Sequence, residues 1–501
     1  MQSKDFRVLL VNCNTPMDNL IPAGLSVISA VLKAHGFQVK LFDTTFYKPA
    51  GYLTGDEARA RTLQVRKTDL EEVGIHPKPG SISEDFRREV LAYQPHLIGF
   101  SIIECTYLLS LELASSIADY DRSVPRVFGG VHATFAPHKL IAEELIDIVC
   151  VGEGEYPLLE LCEALRDGAD YTRIQNLWVK AGRKLTRNPL RRAVDLDTLP
   201  DQDWEIYERE RFWKPMGGRI WVTGTFEMNR GCPYSCLFCV NYGLNKLYKD
   251  AGGYYREKSI PVLIREMREK KERYGLQFAY LVAESFLTTS RERLQQFSTR
   301  YPAEVRLPFW IEARPESITA EKMRLLEDCG CEGISVGVES GDEGFRRTLL
   351  NRRMSNAKIV KAFEILARSR LRVSANNVIG FPTETRELIF ETIELNRQLP
   401  GVAGVMCSLY NPYHGTRLRE IAEERGYIDK DALAGDYRKE SILRMEHLSH
   451  DELWGLQRTF PLYVKFPKSR WEEIRQAESL TPGGDKIYEE LAEEYRQQFM
   501  K

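Results

Sequence analysis

The sequence lacks the features that mark membrane, secreted and nucleic-acid-binding proteins. Its longest apolar runs, such as Leu97–Ile103, are far shorter than the ~20 residues that a membrane-spanning helix needs. The residues before Phe6 are polar and form no signal-peptide pattern. The 70 Lys and Arg residues nearly balance 72 Asp and Glu residues, so the net charge of −2 gives no general attraction to nucleic acid. We therefore expect a cytoplasmic protein without a membrane span or a nucleic-acid partner.

Internal repeats, low-complexity tracts and a disulfide framework are also missing. Ten cysteines scattered over 501 residues are too sparse for a small secreted scaffold. Hydrophobic residues make up 43% of the chain, which is enough to bury sizeable cores. At ~150 residues per domain, the length predicts about three domains.

The N-terminal region, residues 1–165, alternates apolar runs with helical patterns. Such alternation predicts a doubly wound, Rossmann-like parallel sheet. A polar insert at 48–89 is compatible with a lid, an interdomain contact or a loose loop. The predicted strands are Phe6–Asn12, Phe37–Asp43, Pro95–Ile103, Arg126–Phe128 and Ile146–Val151.

Residues 166–220 are polar and broken by proline, and we interpret them as a linker. From residue 221 to 420 the alternation resumes through six strand–helix cycles, which predicts a partial (β/α)6 barrel. Residues 421–501 are predicted to be helical, with Trp454, Phe460, Tyr463 and Trp471 as packing anchors. The predicted barrel strands are Thr223–Asn229, Phe278–Ala283, Phe309–Arg314, Gly333–Glu339, Arg372–Gly380 and Val402–Tyr410.

Three cysteines form a tight cluster directly after the first barrel strand. Cys232, Cys236 and Cys239 are spaced C-x3-C-x2-C, and Phe238 precedes the last of them. A structural zinc site needs four ligands, and the nearest further pair, Cys329-Gly330-Cys331, has the wrong spacing. Three thiolates on a four-iron cluster would leave one iron open for a substrate or cofactor.

This motif resembles the signature of the radical S-adenosylmethionine (SAM) superfamily. The resemblance implies that Cys232, Cys236 and Cys239 hold a 4Fe-4S cluster whose fourth iron is chelated by SAM. Reductive cleavage of SAM would then give a 5′-deoxyadenosyl radical. An external electron donor such as flavodoxin or ferredoxin is implied as well.

Polar residues at successive strand ends match the groups that SAM presents. Glu284 would contact the ammonium, although the two glycines that often precede this glutamate in the superfamily are absent. Arg314 would pair with the SAM carboxylate. Glu339 lies in Gly337-Val338-Glu339-Ser340-Gly341, which is similar to a family segment, and Asn376 and Asn377 would suit the ribose.

A tyrosine-containing turn follows the sixth barrel strand. The segment from Tyr410 to Thr416 resembles the Pro-Tyr-x-Gly-Thr turn of the same subgroup. We predict that Tyr410 and Tyr413 are catalytic and face the substrate, while a packed turn is the alternative.

The N-terminal sheet lacks the G-x-G-x-x-G motif of dinucleotide-binding domains, so NAD and FAD are not expected. Its strand-end segments, among them Ser101-Ile102-Ile103 and the Gly129-Gly130 loop, resemble the cobalamin-binding domain that precedes many radical SAM barrels. Ser101 would hydrogen-bond the buried base, and the two glycines would admit the nucleotide tail. The alternative is a domain that only packs against the barrel.

The residue beneath cobalt is not a histidine by this reading. The Asp-x-His-x-x-Gly motif of mutase-type cobalamin domains does not occur, and His35 and His132 lie in other contexts. The Cys13–Asn14 loop and the Glu104–Tyr107 segment remain the candidates.

The combined resemblance, over about residues 6–420, implies a cobalamin-dependent radical SAM methyltransferase. Such an enzyme would methylate an unactivated carbon or phosphorus of a small-molecule or lipid-like substrate. Oxidative cyclisation or rearrangement without methyl transfer is the alternative, and a noncatalytic corrinoid- or cluster-binding protein is a third.

Overall fold

The computed structural model describes residues 5–182, 184–436, 438 and 441–500. The strands, in chain order, are β1 (Arg7–Asn12), β2 (Gln38–Asp43), β3 (Leu97–Ser101), β4 (Arg126–Gly129), β5 (Ile148–Cys150), β6 (Leu177–Ala181), β7 (Lys184–Arg187), β8 (Trp213–Met216), β9 (Arg219–Glu227), β10 (Asn229–Arg230), β11 (Arg256–Glu257), β12 (Phe278–Val282), β13 (Phe309–Ala313), β14 (Cys331–Glu339), β15 (Arg372–Ile379) and β16 (Val402–Leu409).

The helices, in chain order, are α1 (Ala23–Ala34), α2 (Gly55–Arg61), α3 (Ile82–Tyr93), α4 (Tyr107–Ser116), α5 (Val131–Phe135), α6 (Pro137–Ala142), α7 (Glu155–Asp167), α8 (Val240–Leu247), α9 (Ile260–Tyr274), α10 (Arg291–Glu304), α11 (Ala320–Asp328), α12 (Glu343–Thr348), α13 (Asn356–Leu366), α14 (Arg386–Arg397), α15 (Arg417–Glu424), α16 (His450–Lys465), α17 (Trp471–Gln476) and α18 (Pro482–Phe499). The chain divides into two compact units. The first comprises residues 1–54, 70–214 and 243–256, and the second comprises 55–69, 215–242 and 257–501.

The first unit is built on one sheet with the strand order β2-β1-β3-β4-β5-β6-β7. The strands from β1 to β5 pair in parallel. β1 is apolar from Val8 to Val11 and almost completely buried, as expected of a central strand covered on both faces. β2 lies on one side of β1 and β3, the next strand in the chain, lies on the other. This reversal of the strand order creates a topological switch point, where such sheets bind ligands. The predicted doubly wound fold is confirmed.

Part of the predicted linker, residues 166–220, extends this sheet. β6 pairs antiparallel with β5, and β7 pairs antiparallel with β6. The inward side chains Leu177 and Val179 are buried, whereas β7 is mostly exposed and basic. The apolar residues of β6 form only a short run within a polar, proline-broken stretch, which is why the pattern predicted a linker.

The second unit carries the six predicted strand–helix cycles. Its sheet has the order β16-β15-β14-β13-β12-β9-β8, so β9 lies beside β12 and the strands from β12 to β16 follow their order in the chain, whereas β10 and β11 pair separately. The successive pairs from β9 to β16 are parallel. Parallel strands added one after another curl into a barrel-like sheet with its chemistry at the carboxyl ends. The predicted partial (β/α)6 barrel is confirmed.

A piece of the 48–89 insert belongs to this second unit. The side-chain amide of Gln64 donates to the carbonyl oxygen of Cys407 and accepts from its N–H, both at 2.9 Å. The Tyr488 hydroxyl donates to the Arg61 carbonyl oxygen at 2.5 Å. Gln64 therefore takes the place of a neighbouring strand beside β16, so this part of the insert is a fixed edge of the sheet.

The C-terminal helices cover the outer face of β15 and β16. Ser449 caps the N-terminus of α16 and forms a capping box with Glu452. Phe460 and Tyr463 are buried in one apolar cluster, and Trp454 and Trp471 pack against it. Within the described residues, no helix combines the length and apolar character needed to cross a membrane.

Candidate functional site

The cysteine loop follows β9 and β10 at the carboxyl end of the second unit's sheet. Cys232 and Cys236 are buried, and Cys239 is half-buried. The N–H of Cys239 donates to the Cys236 carbonyl oxygen at 3.1 Å, which folds the loop tightly. None of the three cysteines takes part in a disulfide.

Neighbouring segments of the second unit hold this loop from outside. The N–H of Leu237 donates to the Leu350 carbonyl oxygen at 3.3 Å, and the Leu237 carbonyl oxygen accepts from the Leu418 N–H at 3.0 Å. The Phe238 ring packs edge-on against Phe381 at 5.6 Å. The aromatic residue before the last cysteine thus serves as an anchor, and contacts with three neighbouring segments preorganise the loop.

The three thiols fit an iron–sulfur cluster by their donor chemistry. Burial, with a smaller contribution from the charge of Cys236, raises the pKa of Cys232 to about 11 and that of Cys239 to about 12. Cys236 therefore lies near both others, and the crowded thiolates call for a strongly cationic partner. Cys331 begins β14 at the opposite end from Glu339, about 26 Å away at ~3.3 Å per residue, so it supplies no fourth thiolate.

Arg314 directly follows β13 and lies against the cysteine loop. Its Nη1 atom donates to the Cys236 sulfur at 3.0 Å. Its Nε and Nη2 atoms donate to Glu316 at 2.8 and 2.5 Å. The guanidinium also stacks over the Tyr234 ring at 3.7 Å. These contacts differ from the predicted pairing of Arg314 with a SAM carboxylate.

Glu339 ends β14 in an ion pair with Arg352. Arg352 donates to the Glu339 carboxylate at 2.9 Å and to the Gly337 carbonyl oxygen at 2.6 Å. Glu339 has φ of +69°, and a Cβ on Gly337 would lie 2.4 Å from its carboxylate oxygen. Glycine is thus required for the carboxylate to fold back over the strand end. Burial raises the pKa of Glu339, and the charge of Arg352 opposes that rise.

Glu284 follows β12 and is exposed to solvent, yet surrounding protein raises the pKa of its carboxyl through desolvation. The charges of Glu312 and Glu227 raise it further, whereas a hydrogen bond with Asn241 lowers it. A side chain both exposed and closely surrounded faces a concave surface. The Asn241 amide also donates to the Cys239 sulfur at 3.5 Å, so one residue connects Glu284 to the cysteine loop.

The two predicted ribose contacts lie on opposite faces of β15. Asn376 is half-buried and accepts from the Ser374 hydroxyl at 3.0 Å. Asn377 is buried and exchanges hydrogen bonds with Asn396 of α14 at 3.1 and 2.7 Å. The Asn377 amide thus joins the strand to a helix, and its contact with the ribose stays a prediction. Asn376 remains a predicted ligand.

The two predicted catalytic tyrosines make packing contacts. Tyr410 is buried in an apolar cluster, with its ring 5.1 Å from Phe381. The Tyr413 hydroxyl donates to the Gly435 carbonyl oxygen at 2.8 Å. These contacts are those of a packed turn, and the catalytic role stays a prediction.

In the first unit, predicted cobalamin-binding residues meet at the switch point. Ser101 at the end of β3 lies opposite Asn12 of β1 on one side and Gly129 of β4 on the other. Gly130 has φ of +102°, and a Cβ there would lie 2.4 Å from the Ile102 carbonyl oxygen. A half-buried hydroxyl beside bare glycine backbone fits the close approach of a bulky ligand.

The loop after β1 is fixed by internal bonds. The Asn14 amide donates to the Asp18 carbonyl oxygen at 2.7 Å and to the Thr45 hydroxyl at 2.8 Å. The buried Arg211 donates to the same carbonyl at 2.7 Å. Cys13 is buried, which raises the pKa of its thiol. Both amide hydrogens of Asn14 are used within the loop, and the ligand roles of Asn14 and Cys13 stay predictions.

The second candidate segment for the position beneath cobalt also lies in the first unit. Glu104 is buried, with its carboxylate 3.7 Å from Nδ1 of His132 in the Gly129-Gly130 loop. The Tyr107 ring packs 5.1 Å from the same imidazole. The Glu104–Tyr107 segment is thereby tied to the glycine loop.

Comparison with known proteins agrees with this geometry. Residues 226–395 match the family model of the radical SAM superfamily, and residues 10–162 match that of the B12 binding domain. The chain therefore contains one region similar to B12-binding domains and one similar to the radical SAM superfamily. Its cofactors are a 4Fe-4S cluster, SAM and cobalamin.

Two curated relatives illustrate the range of proteins that the chain resembles. An uncharacterized methyltransferase of Pyrococcus horikoshii is 24% identical over 389 residues, which are 76% of this chain and 81% of the relative. An anaerobic magnesium-protoporphyrin IX monomethyl ester cyclase of Cereibacter sphaeroides is 24% identical over 359 residues, 69% of this chain and 56% of the cyclase.

A solved structure shows the same fold over the whole chain. The radical SAM methyltransferase TsrM from Kitasatospora setae, with cobalamin and a 4Fe-4S cluster bound, superposes with a TM-score of 0.64. The match covers 99% of this chain and 100% of TsrM at 18% identity.

Several site residues were not predicted from the sequence. Glu312 lies on β13 in alternation with buried neighbours, and period-2 counting along Phe309–Ala313 would have placed it on the inner face. Asn241 carries only the weak signal of its position two residues after Cys239. Arg352 has no local signal, because its partner Glu339 is brought to it by the fold alone.

Proposed function

We propose that this chain is a cobalamin-dependent radical SAM methyltransferase acting on an unactivated carbon or phosphorus of a small molecule. The observation that carries the proposal is the preorganised three-cysteine loop at the carboxyl end of β9, in a chain that also has a B12-binding domain. Relatives named as methyltransferases support it, including a cytidylyl-2-hydroxyethylphosphonate methyltransferase.

The bound groups supply a 5′-deoxyadenosyl radical and a cobalamin-borne methyl group. We assign Cys232, Cys236 and Cys239 to the cluster. Glu339 and Glu284 lie at strand ends beside that loop, and their carboxylates are suited to an ammonium group. Arg352 holds the Glu339 carboxylate in place.

The first unit supplies the surface for the corrinoid. Ser101 offers a hydroxyl at the switch point, and Gly129 and Gly130 leave the adjoining backbone uncovered. Gly130 cannot carry a side chain without striking the Ile102 carbonyl. These residues would position the ligand without contributing a metal bond.

Two partners complete the proposal. The substrate is a small molecule or a lipid-like compound. A one-electron donor such as flavodoxin or ferredoxin reduces the cluster. Both are inferred from the radical chemistry, which needs an electron for each SAM that is cleaved.

Oxidative cyclisation without methyl transfer is the second candidate, favoured by the similarity to the magnesium-protoporphyrin cyclase of Cereibacter sphaeroides. Product balance separates the two. Methylation forms S-adenosylhomocysteine together with 5′-deoxyadenosine, whereas cyclisation forms 5′-deoxyadenosine alone.

The cluster assignment is tested by anaerobic reconstitution with iron and sulfide. We expect Cys236→Ala to lose the brown absorption and the bound iron, because one of three thiolates is missing. Cys329→Ala, which removes another buried thiol outside the loop, is the matched control and should retain both. Equal iron in the two variants would refute the assignment.

A further inference from the structure

The guanidinium of Arg314 is held on three sides beside a cysteine of the cluster loop. It donates to the Cys236 sulfur at 3.0 Å, donates twice to Glu316 and stacks on Tyr234. Arg314 is only 8% exposed, so water screens these interactions weakly. A cation fixed in this way acts mainly on the sulfur that it touches.

The local fold explains why this position is rigid. β13 ends at Ala313, and a short turn follows in which the N–H and the hydroxyl of Ser317 both donate to the Arg314 carbonyl oxygen, at 3.0 and 2.7 Å. Tyr234 belongs to the cysteine loop itself, two residues before Cys236. The hydrogen bond to Cys236 and the stacking on Tyr234 therefore connect the arginine to the loop at two separate residues.

Each of the three guanidinium nitrogens makes one of these contacts. Nη1 donates to sulfur, and Nε and Nη2 both donate to Glu316. A bidentate pairing of Nε and Nη2 with a SAM carboxylate would require the side chain to leave Glu316.

We infer that Arg314 is a positioning residue that raises the reduction potential of the iron–sulfur cluster through Cys236. The inference rests on the proposed function, in which Cys236 is a cluster ligand. Hydrogen bonds to ligand sulfurs and nearby charge are the means by which proteins set such potentials. Reduction adds one electron from the external donor and forms or breaks no bond, and a buried cation beside the sulfur stabilises the extra negative charge.

Glu316 opposes this effect because its carboxylate neutralises part of the guanidinium charge. The two residues therefore make opposite predictions. Removing the Arg314 charge should make the cluster harder to reduce, and removing the Glu316 charge should make it easier. A purely structural role for the pair would give shifts without this reversal of sign.

The test is a redox titration of the reconstituted full chain with titanium(III) citrate, without SAM, followed by electron paramagnetic resonance of the reduced cluster. We expect Arg314→Gln to lower the reduction equilibrium constant at least tenfold, which is 59 mV for one electron. Glu316→Gln should raise the potential, and Arg314→Lys should fall between Arg314→Gln and the unaltered protein. Arg324→Gln, an exposed position on α11, is the control for loss of an arginine and should change nothing.

An unchanged potential in Arg314→Gln overturns the inference, and weaker SAM binding with an unchanged potential would return Arg314 to the carboxylate role. If Arg314→Gln takes up no iron, the opposite shifts of Arg314→Lys and Glu316→Gln decide, and their absence overturns it. Failure of the unaltered protein to bind a cluster would instead refute the proposed function.

Discussion

Replacement of Glu384 by glutamine is expected to stabilise the protein at neutral pH and to remove a pH dependence. Glu384 is completely buried after β15, and its Oε2 atom accepts from the N–H groups of Gly380 and Phe381 at 2.6 and 3.1 Å. Oε1 has no hydrogen-bond partner within the described part of the chain. A glutamine oxygen can accept the same two bonds without carrying a charge.

The magnitude follows from the pKa of this carboxyl. Burial raises it to about 8 from its ordinary value of 4.5, although the two backbone hydrogen bonds lower it. The folded state therefore keeps a proton that the unfolded state releases above pH 4.5, so stability is complete below that pH and is lost as pH rises toward 8. At 1.36 kcal/mol per pKa unit, the loss between pH 5 and pH 8 is about 3 kcal/mol.

The assay is urea denaturation of the holoprotein at several pH values, followed by circular dichroism under anaerobic conditions. The difference in unfolding free energy between Glu384→Gln and the unaltered protein should grow with pH, by about 3 kcal/mol from pH 5 to pH 8. Glu391→Gln, an exposed carboxyl on α14, should show no such growth. A pH-independent difference for Glu384→Gln would refute the argument that this carboxyl is protonated in the folded state.

Two further substitutions test the cofactor surfaces. Gly130→Ala places a Cβ 2.4 Å from the Ile102 carbonyl oxygen at a backbone φ of +102°. Thermal denaturation should therefore show a loss of ~2 kcal/mol or more in stability, and spectroscopy should show a lower corrinoid content. The control Gly24→Ala, at an exposed helical position, should show neither effect. Arg352→Met leaves Glu339 without its ion-pair partner and should lower the free energy of unfolding by ~3 kcal/mol in urea denaturation. Arg352→Lys should recover part of this loss. Equal stability of the two variants and the unaltered protein would contradict the pairing.

Much of the fold could be predicted because its signals are local. Apolar runs such as that of β1 and helix-period patterns such as that of α9 lie within one window of sequence, and the structure places both where the pattern does. The first barrel strand was predicted to begin at Thr223 but begins at Arg219, since its first residues are partly exposed and mixed in character. β7 was missed because exposed, basic edge strands resemble loops.

The same difference between local signals and tertiary contacts decides which parts of the site could be predicted. The cysteine spacing and the strand-end position of Glu339 are properties of short segments, so the sequence locates them without a structure. The partner of a long side chain is set by tertiary packing, and position alone did not separate Cys236 from a SAM carboxylate as the partner of Arg314.

For Asn376 and Asn377, the alternation of side chains along a strand could have refined the prediction from the sequence. Neighbouring residues of a strand point to opposite faces, so the two amides cannot both face the interior of the curled sheet. On β15 the buried positions are Val373, Ala375, Asn377 and Ile379, which fixes the helix-facing side. Asn377 continues this apolar series with an amide satisfied by Asn396, and only Asn376 is left on the face that carries the candidate ligands.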